Sequence, residues 1–245
     1  MESELNFTGK TVLVVGGSSG IGNGIARAFL ARGAEVHVFG TRGAAADYAG
    51  EEGSDLDGLH YSALDVTDDS AVSAYMPTFA RLDVLILSQG LVKYGRAEFE
   101  MAEFRHVTDV NLMSVMACAL RFRPMLADSK GSVIIISSVA AFLATKGNPA
   151  YNASKAGVTG LARNLGQAWA GKGIRVNAIA PGMVETKLTR ITTDNAERLE
   201  STLARIPLGR LGTVDEMAGV ALFLASPLSA YMVGQTLIVD GGRLL

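Results

Sequence analysis

Thr11-Val12-Leu13-Val14-Val15-Gly16-Gly17-Ser18-Ser19-Gly20-Ile21-Gly22 joins an almost unbroken apolar run to a cluster of glycines. Five such residues in succession suit a central strand covered on both faces. The glycines allow a tight turn, let backbone N–H groups approach a pyrophosphate, and set a helix N-terminus behind the negative charge. Gly16, Ser18, Ser19, Gly20 and Ile21 are therefore candidate phosphate contacts. A helix over about residues 20–32 is expected next, with Ile21, Ile25, Ala28 and Phe29 on one stripe. An ordinary glycine-rich turn is the bland alternative, and the place between strand and helix favours the dinucleotide reading. Asn23 and Gly24 follow where a nucleoside-triphosphate loop carries a lysine and a hydroxyl, which disfavours ATP or GTP hydrolysis.

Working outward, further short β-branched runs lie at 36–39, 59–63, 83–87, 131–136, 174–179 and 236–239. Helical patterns separate them at 71–79, at 98–126 (one long or broken helix), at 150–169 and at 214–225. Seven strands alternating with helices predict an α/β, doubly wound Rossmann fold: a seven-stranded parallel sheet with helices on both faces. No linker or repeat interrupts the pattern, so residues 1–245 read as a single domain. Two irregular stretches, 41–59 and 181–207, follow strand ends and are expected to border a site, the second as a substrate lid.

The 22 Lys+Arg against 24 Asp+Glu leave a net charge of −2, which excludes nucleic-acid binding driven by bulk charge. A hydrophobic content of 49% with 19% charged residues excludes disorder. Cys118, the single cysteine, forms no internal disulfide. His37, His60 and His106 lie far apart without ligand spacing, so no metal is expected. The opening Met1-Glu2-Ser3-Glu4-Leu5-Asn6 is acidic where a signal peptide is basic and then apolar, and no 18-residue apolar run occurs. A cytoplasmic protein with no membrane partner is the expectation.

The second strand ends in Phe39-Gly40-Thr41-Arg42, with no acid to bond a ribose 2′-hydroxyl. Thr41 offers a hydrogen bond and Arg42 a charged fork of donors. NADP(H) is the preferred cofactor, with NAD(H) as the alternative, and a solvated loop arginine is the competing account of Arg42. Asp65 and Val66, after the third strand, suit an adenine amino group and ring face. Asp65 has a second reading as the cap of a helix beginning near Asp69.

Tyr151 and Lys155 stand at i and i+4 on one helix face. A phenol with an unperturbed pKa of about 10 is only about one part in a thousand ionised at neutral pH. An ammonium roughly 6 Å away favours phenolate by up to about 3 kcal/mol at an effective dielectric near 20. Ser138 ends the strand Ile134-Ile135-Ile136, where its hydroxyl is placed to bond a carbonyl or alcohol oxygen. Asn111 lies inside a mostly apolar helix, and a buried amide there needs partners, such as a water linking Lys155 to solvent. Structural polar pairing is the alternative for each.

Together these pieces resemble the short-chain dehydrogenase/reductase family in its compact single-domain form. They are Gly17-x-x-Gly20-Ile21-Gly22, Asp65-Val66, Asn111, Ser138, Tyr151-x-x-x-Lys155, Asn177-Ala178-Ile179-Ala180-Pro181-Gly182 with Thr186, and Asp240-Gly241-Gly242. The resemblance implies hydride transfer between nicotinamide and a carbonyl or secondary alcohol. Tyr151 is the acid/base, Ser138 polarises the oxygen, Lys155 bonds the nicotinamide ribose and lowers the tyrosine pKa, and Asn111 supports a proton relay. Pro181, Gly182, Val184 and Thr186 line the nicotinamide side. Homo-tetramers are usual in that family. Two departures stand out. The family usually has threonine where Gly16 stands, and its Asn-Asn-Ala-Gly motif is Leu87-Ser88-Gln89-Gly90 here. Ser88 keeps part of an asparagine's bonding capacity, and Gln89 is bulkier than alanine.

Three rivals differ in what they require. A sugar-nucleotide epimerase resembles longer chains, an enoyl reductase has a wider Tyr-to-Lys spacing, and a catalytically silent NAD(P)-binding regulator is expected to have lost one of the four residues. The closing phrases, including Pro207-Leu208-Gly209-Arg210-Leu211-Gly212, look like those of 3-oxoacyl-carrier-protein reductases and of secondary-alcohol dehydrogenases, which leaves the ketone or alcohol open.

Overall fold

The computed structural model describes residues 4–245, so Met1, Glu2 and Ser3 of the N-terminal reading lie outside the described residues. Seven strands form one sheet: β1 (Thr11–Val15), β2 (Glu35–Gly40), β3 (His60–Ala63), β4 (Val84–Leu87), β5 (Ser132–Ile136), β6 (Arg175–Pro181) and β7 (Thr236–Val239). Their order is β3-β2-β1-β4-β5-β6-β7, and every neighbouring pair is parallel. The winding reverses between β1 and β4, which opens a crevice at the carboxyl ends of those strands. All five residues of β1 are buried, as its apolar run requires. Leu13 and Val15 face a core with α4 (Ser114–Ser129) and α5 (Pro149–Trp169). Val12 and Val14 face α1 (Gly20–Leu30) and α8 (Val214–Ala225) on the other side.

Several elements differ from expectation for identifiable reasons. The helix expected at 71–79 is α2 (Asp69–Ala74). Asp68 starts it, accepting the N–H groups of Ser70 and Ala71 at 2.9 and 3.0 Å, and Pro77 disfavours helical backbone at the residue before it. Asp65 is therefore not the cap: its Oδ1 accepts both the N–H and hydroxyl of Thr67. The 98–126 helix takes the broken form of the expectation: α3 (Met101–Thr108), a π turn over Asp109–Met113, and α4. The stretch 181–207 holds two short helices, α6 (Arg190–Thr193) and α7 (Ala196–Leu203). Thr202 is the one fully buried residue in the pair, although α7 carries a short stripe of Ala196, Leu199 and Leu203 that the sequence reading left within the irregular stretch.

His37 and His60, 23 residues apart, are neighbours because β2 and β3 pair them in register. Their rings stack with centroids 4.6 Å apart, and His37 Nε2 lies 2.9 Å from Glu35 Oε1. The expectation that the histidines are scattered is thus wrong for this pair. With Glu35 they bring three potential ligand atoms within 4.8 Å of one another, so chain spacing does not by itself exclude a metal, and Phe79 packs on His37. Among the described residues no helix is long and apolar enough to cross a membrane.

The contact between α1 and α8 is close because Gly24 lacks a side chain. A Cβ there would sit 1.8 Å from Val214 Cγ1 and 3.2 Å from its Cβ. Val214 is β-branched and lies in the first turn of α8, which Thr213 and Glu216 cap reciprocally. Gly24→Ala is expected to cost about 1–2 kcal/mol net of its better helix propensity, lowering Tm by roughly 3–6 °C. Adding Val214→Ala should recover part of that loss in the same thermal melt.

Candidate active site

The glycine loop occupies the crevice between β1 and β4. Gly16 has φ +75°, and a Cβ on it would lie 2.8 Å from the Gln89 amide nitrogen. A threonine at 16 would be strained and would collide with the Ser88–Gln89 backbone just after β4, so glycine there follows from this backbone and is no loss of a stabilising side chain. A Cβ on Gly22 would fall 2.2 Å from the Gly16 carbonyl oxygen. Asn23 stabilises the loop from behind, donating to the carbonyls of Gly17 and Asp55 and accepting from Asp55 N–H. This bare backbone at the start of α1 is a cradle for a pyrophosphate.

The crevice is a cleft of about 400 Å³. Gly16, Ser18, Ser19, Gly20 and Ile21 form its loop wall, and Thr41, Asp65 and Val66 lie beside the ends of β2 and β3. Ser88, Gln89 and Gly90 follow β4, while Pro181, Gly182, Val184 and Thr186 close the side after β6. Arg42 is not on the wall. Its guanidinium stacks over Tyr48 at 4.4 Å and pairs with Glu51 at 2.5 Å, so its charge is already engaged. Lys187, which the sequence did not single out, lines the cleft and grips the same Glu51 carboxylate.

The segment after β5 brings Ser138, and α5 brings Tyr151 and Lys155, to the lining of the same cleft. Pro149 opens α5 at its first position, which puts Tyr151 in the first turn and Lys155 one turn on. Lys155 is buried, donates from Nζ to the Ile136 carbonyl at 2.9 Å, and lies 5.7 Å from the centre of the Tyr151 ring. Burial lowers its pKa to about 8. The Tyr151 phenol is pushed up, chiefly by burial, with Tyr94 and Glu98 adding to the rise and the Ser138 hydroxyl opposing it. The net direction is opposite to the one that the lysine alone would give.

Asn111 stands behind this wall, fully buried in the π turn. Its amide is saturated by protein: Nδ2 donates to the Leu91 carbonyl at 2.8 Å and to Ser154 Oγ at 3.1 Å, and Oδ1 accepts Leu91 N–H at 2.7 Å. The side chain thus clamps the chain after β4. Gln89 shows the opposite condition. Its Nε2 donates to Ser114 Oγ at 3.0 Å, yet its buried Oε1 has no hydrogen-bond partner among the described residues. An unpaired acceptor beside a glycine cradle and a helix N-terminus fits a nucleotide, whose ribose hydroxyls are donors.

Glu98 was not legible as a site residue. It is completely buried, and its carboxylate accepts the N–H groups of Lys93 and Tyr151. In sequence it is one of several acids in Glu98-Phe99-Glu100-Met101-Ala102-Glu103 and looks like a solvated helix face.

Comparison with known proteins agrees with this geometry. A family model described as enoyl-(acyl carrier protein) reductase matches residues 15–243. The 3-oxoacyl-[acyl-carrier-protein] reductase FabG of Chlamydia muridarum is 36% identical over 241 residues, covering 95% of this chain and 96% of that protein. The 2-dehydro-3-deoxy-D-gluconate 5-dehydrogenase of Bacillus subtilis is 36% identical over 251 residues, covering 100% and 98%. The crystal structure of a gluconate 5-dehydrogenase from Burkholderia cenocepacia in complex with NADP and tartrate superposes with a TM-score of 0.89 at 31% identity, covering 99% and 98%. With a dinucleotide cradle and relatives alike over nearly their whole lengths, the chain belongs to the short-chain dehydrogenase/reductase family of NAD(P)-dependent oxidoreductases.

Proposed function

We propose that the protein is an NADP(H)-preferring carbonyl reductase and secondary-alcohol dehydrogenase, working as a cytoplasmic homo-tetramer, with Tyr151 as its proton-transfer group. The observation that carries this reading is the convergence of Ser138, Tyr151 and Lys155 on the cleft that the glycine loop also lines. Bound nicotinamide supplies the hydride. The chain's residues manage the oxygen: Ser138 donates a hydrogen bond to it, and Tyr151 gives it a proton on reduction or takes one on oxidation. Lys155 keeps positive charge beside the phenol and offers its remaining N–H donors to a ribose. Asn111 holds Leu91, and with it the floor formed by Gly90, where a Cβ would lie 3.6 Å from Lys155 Nζ.

Substrates are small ketones or alcohols of the β-ketoacyl or keto-sugar-acid kind, the chemistries named for the relatives. NADP(H) preference is supported by Thr41 on the cleft wall and by the absence of an acid at the end of β2. It requires Arg42 to exchange Glu51 for a 2′-phosphate.

Tyr151→Phe is expected to lower kcat about 10²-fold or more with nucleotide Kd changed less than about twofold. Reduced-nucleotide absorbance with ethyl acetoacetate, acetoacetyl thioesters and 5-ketogluconate is the assay, and near-normal turnover would refute the role. Arg42→Ala should raise KM for NADPH roughly tenfold and leave KM for NADH unchanged; equal effects on both would remove Arg42 from cofactor choice.

Lys155 yields a prediction of opposite signs for stability and activity. A buried ammonium with a pKa lowered from 10.5 to about 8 opposes folding fully below pH 8. Between pH 8 and 10.5 the unfolded chain binds the additional proton, so wild-type stability rises with pH across that window. Lys155→Met removes the penalty and also the bond to the Ile136 carbonyl. At pH 7, without nucleotide, it should be more stable by roughly 2 kcal/mol, the advantage fading by pH 10.5, while turnover is lost. Chemical denaturation at pH 7 and pH 10 measures both values.

A further inference from the structure

Glu98 is a carboxylate with no exposure and with no lysine or arginine within ion-pair distance among the described residues. Nearby Lys93 directs its ammonium elsewhere, to Glu103 at 3.1 Å. Glu98 is held instead by three N–H donors. Oε1 accepts from Lys93 N at 3.0 Å and Asn148 Nδ2 at 3.4 Å, and Oε2 accepts from Tyr151 N at 2.9 Å. The chain turns it inward through consecutive left-handed residues, Gly95 at φ 69° and Arg96 at φ 66°. For a non-glycine residue that backbone costs about 1–2 kcal/mol, so other contacts must maintain the turn.

The start of α5 needs such a group. Asn148 precedes the helix but makes no side-chain cap, because its amide donates to the Lys93 carbonyl and to Glu98. Pro149 has no N–H. Among the first-turn amides left without an intrahelical acceptor is that of Tyr151, and Glu98 caps it from another segment of the chain. A negative charge at a helix N-terminus is favoured by the helix dipole, which explains how a buried acid without a cation is tolerated.

We infer that Glu98 is a positioning residue for Tyr151: it fixes the turn that carries the phenol and places a negative charge beside it that counterbalances Lys155. The inference rests on the reading of Tyr151 as the proton-transfer group. The groups facing that phenol are Ser138 from the end of β5, Lys155 from α5, and Tyr94 and Glu98 from the segment after β4. Lys155 favours phenolate, whereas Glu98 favours the neutral phenol, the form that donates a proton to a substrate oxygen. Only a carboxylate meets the geometry, because all three partners are donors. Glutamine would turn an NH₂ group against one of them.

The test uses the full chain with NADP bound. Glu98→Gln is expected to lower kcat about tenfold or more, keep nucleotide Kd within about twofold, and shift the acidic limb of the alcohol-oxidation profile to lower pH by roughly half a unit or more. Glu98→Asp keeps the charge but withdraws the cap by one methylene, so kcat should fall while the limb stays in place. A ¹⁹F titration of 3-fluorotyrosine at position 151 reads the same shift without any substrate. A Glu98→Gln protein that loses thermal stability but keeps the wild-type limb and ¹⁹F midpoint would overturn the inference, and so would an Asp variant with unchanged kcat if the Gln variant does not fold. Tyr151→Phe in the same assay separates the two levels. Full activity there refutes the proposed function, whereas an inactive Tyr151→Phe with an unshifted Glu98→Gln refutes only the role of Glu98.

Discussion

The end of β5 and the second turn of α5 are clamped to each other from both directions. Lys155 Nζ donates to the Ile136 carbonyl at 2.9 Å, and Ser137 Oγ donates to the Lys155 carbonyl at 3.0 Å. Ser137 also pairs with Thr159 Oγ1 at 2.8 Å, one turn further along the helix. These bonds lie inside the protein, where a lost partner leaves an unsatisfied buried group costing about 1–3 kcal/mol. The relative placement of strand end and helix is consequently stiff. Because Ser138 directly follows Ser137 after the end of β5 and Tyr151 is one turn back on the helix, the same clamp fixes the distance between the two hydroxyls that face the cleft.

What could be read from the sequence follows from how far apart the interacting residues are in the chain. The strand Thr11–Val15, the glycine turn and the helix after it form a local unit, and its apolar pattern and glycines announce it directly. The pair Tyr151 and Lys155 is local for the same reason. Asn111 was recognisable as a misfit, an amide in an apolar helix, but its partner Leu91 was not, since that contact depends on a π turn that no periodicity marks. The His37–His60 contact was invisible because a parallel register, not a spacing along the chain, creates it. Helices α6 and α7 escaped because they are only four and eight residues long, so that the stripe of Ala196, Leu199 and Leu203 in α7 is too short to stand out from the polar residues around it.

Gly16 and Gln89 show that an apparent departure from a family pattern has to be judged in three dimensions. Read linearly, each is a separate substitution. In the structure they touch: the bare Cα of Gly16 is what allows the Gln89 backbone, just after β4, to pass at 2.8 Å from where a Cβ would be. The Gln89 amide then extends to Ser114, next to the π turn that carries Asn111, so the segment after β4 is tied both to the loop and to the helix behind it. A long side chain at 89 thus acts as a brace, at the cost of one unpaired oxygen in a place where a bound ribose can satisfy it.

On the proposed reading of Tyr151, burial holds the phenol neutral and two buried charges act on it with opposing effects. With Lys155 alone, the phenol would be drawn toward ionisation, a poor state from which to donate a proton to a carbonyl. With Glu98 alone, burial and charge would both hold the proton too firmly for oxidation of an alcohol. Having both charges buried, each satisfied by backbone or amide groups in place of the other, keeps them from neutralising one another as a salt bridge would. The resulting field at the phenol depends on the backbone more than on solvent or salt. If Tyr151 is the proton-transfer group, as proposed, a reversible reaction would gain from that arrangement, because the hydrogen bonds that hold strand and helix in place would also set the poise of the tyrosine.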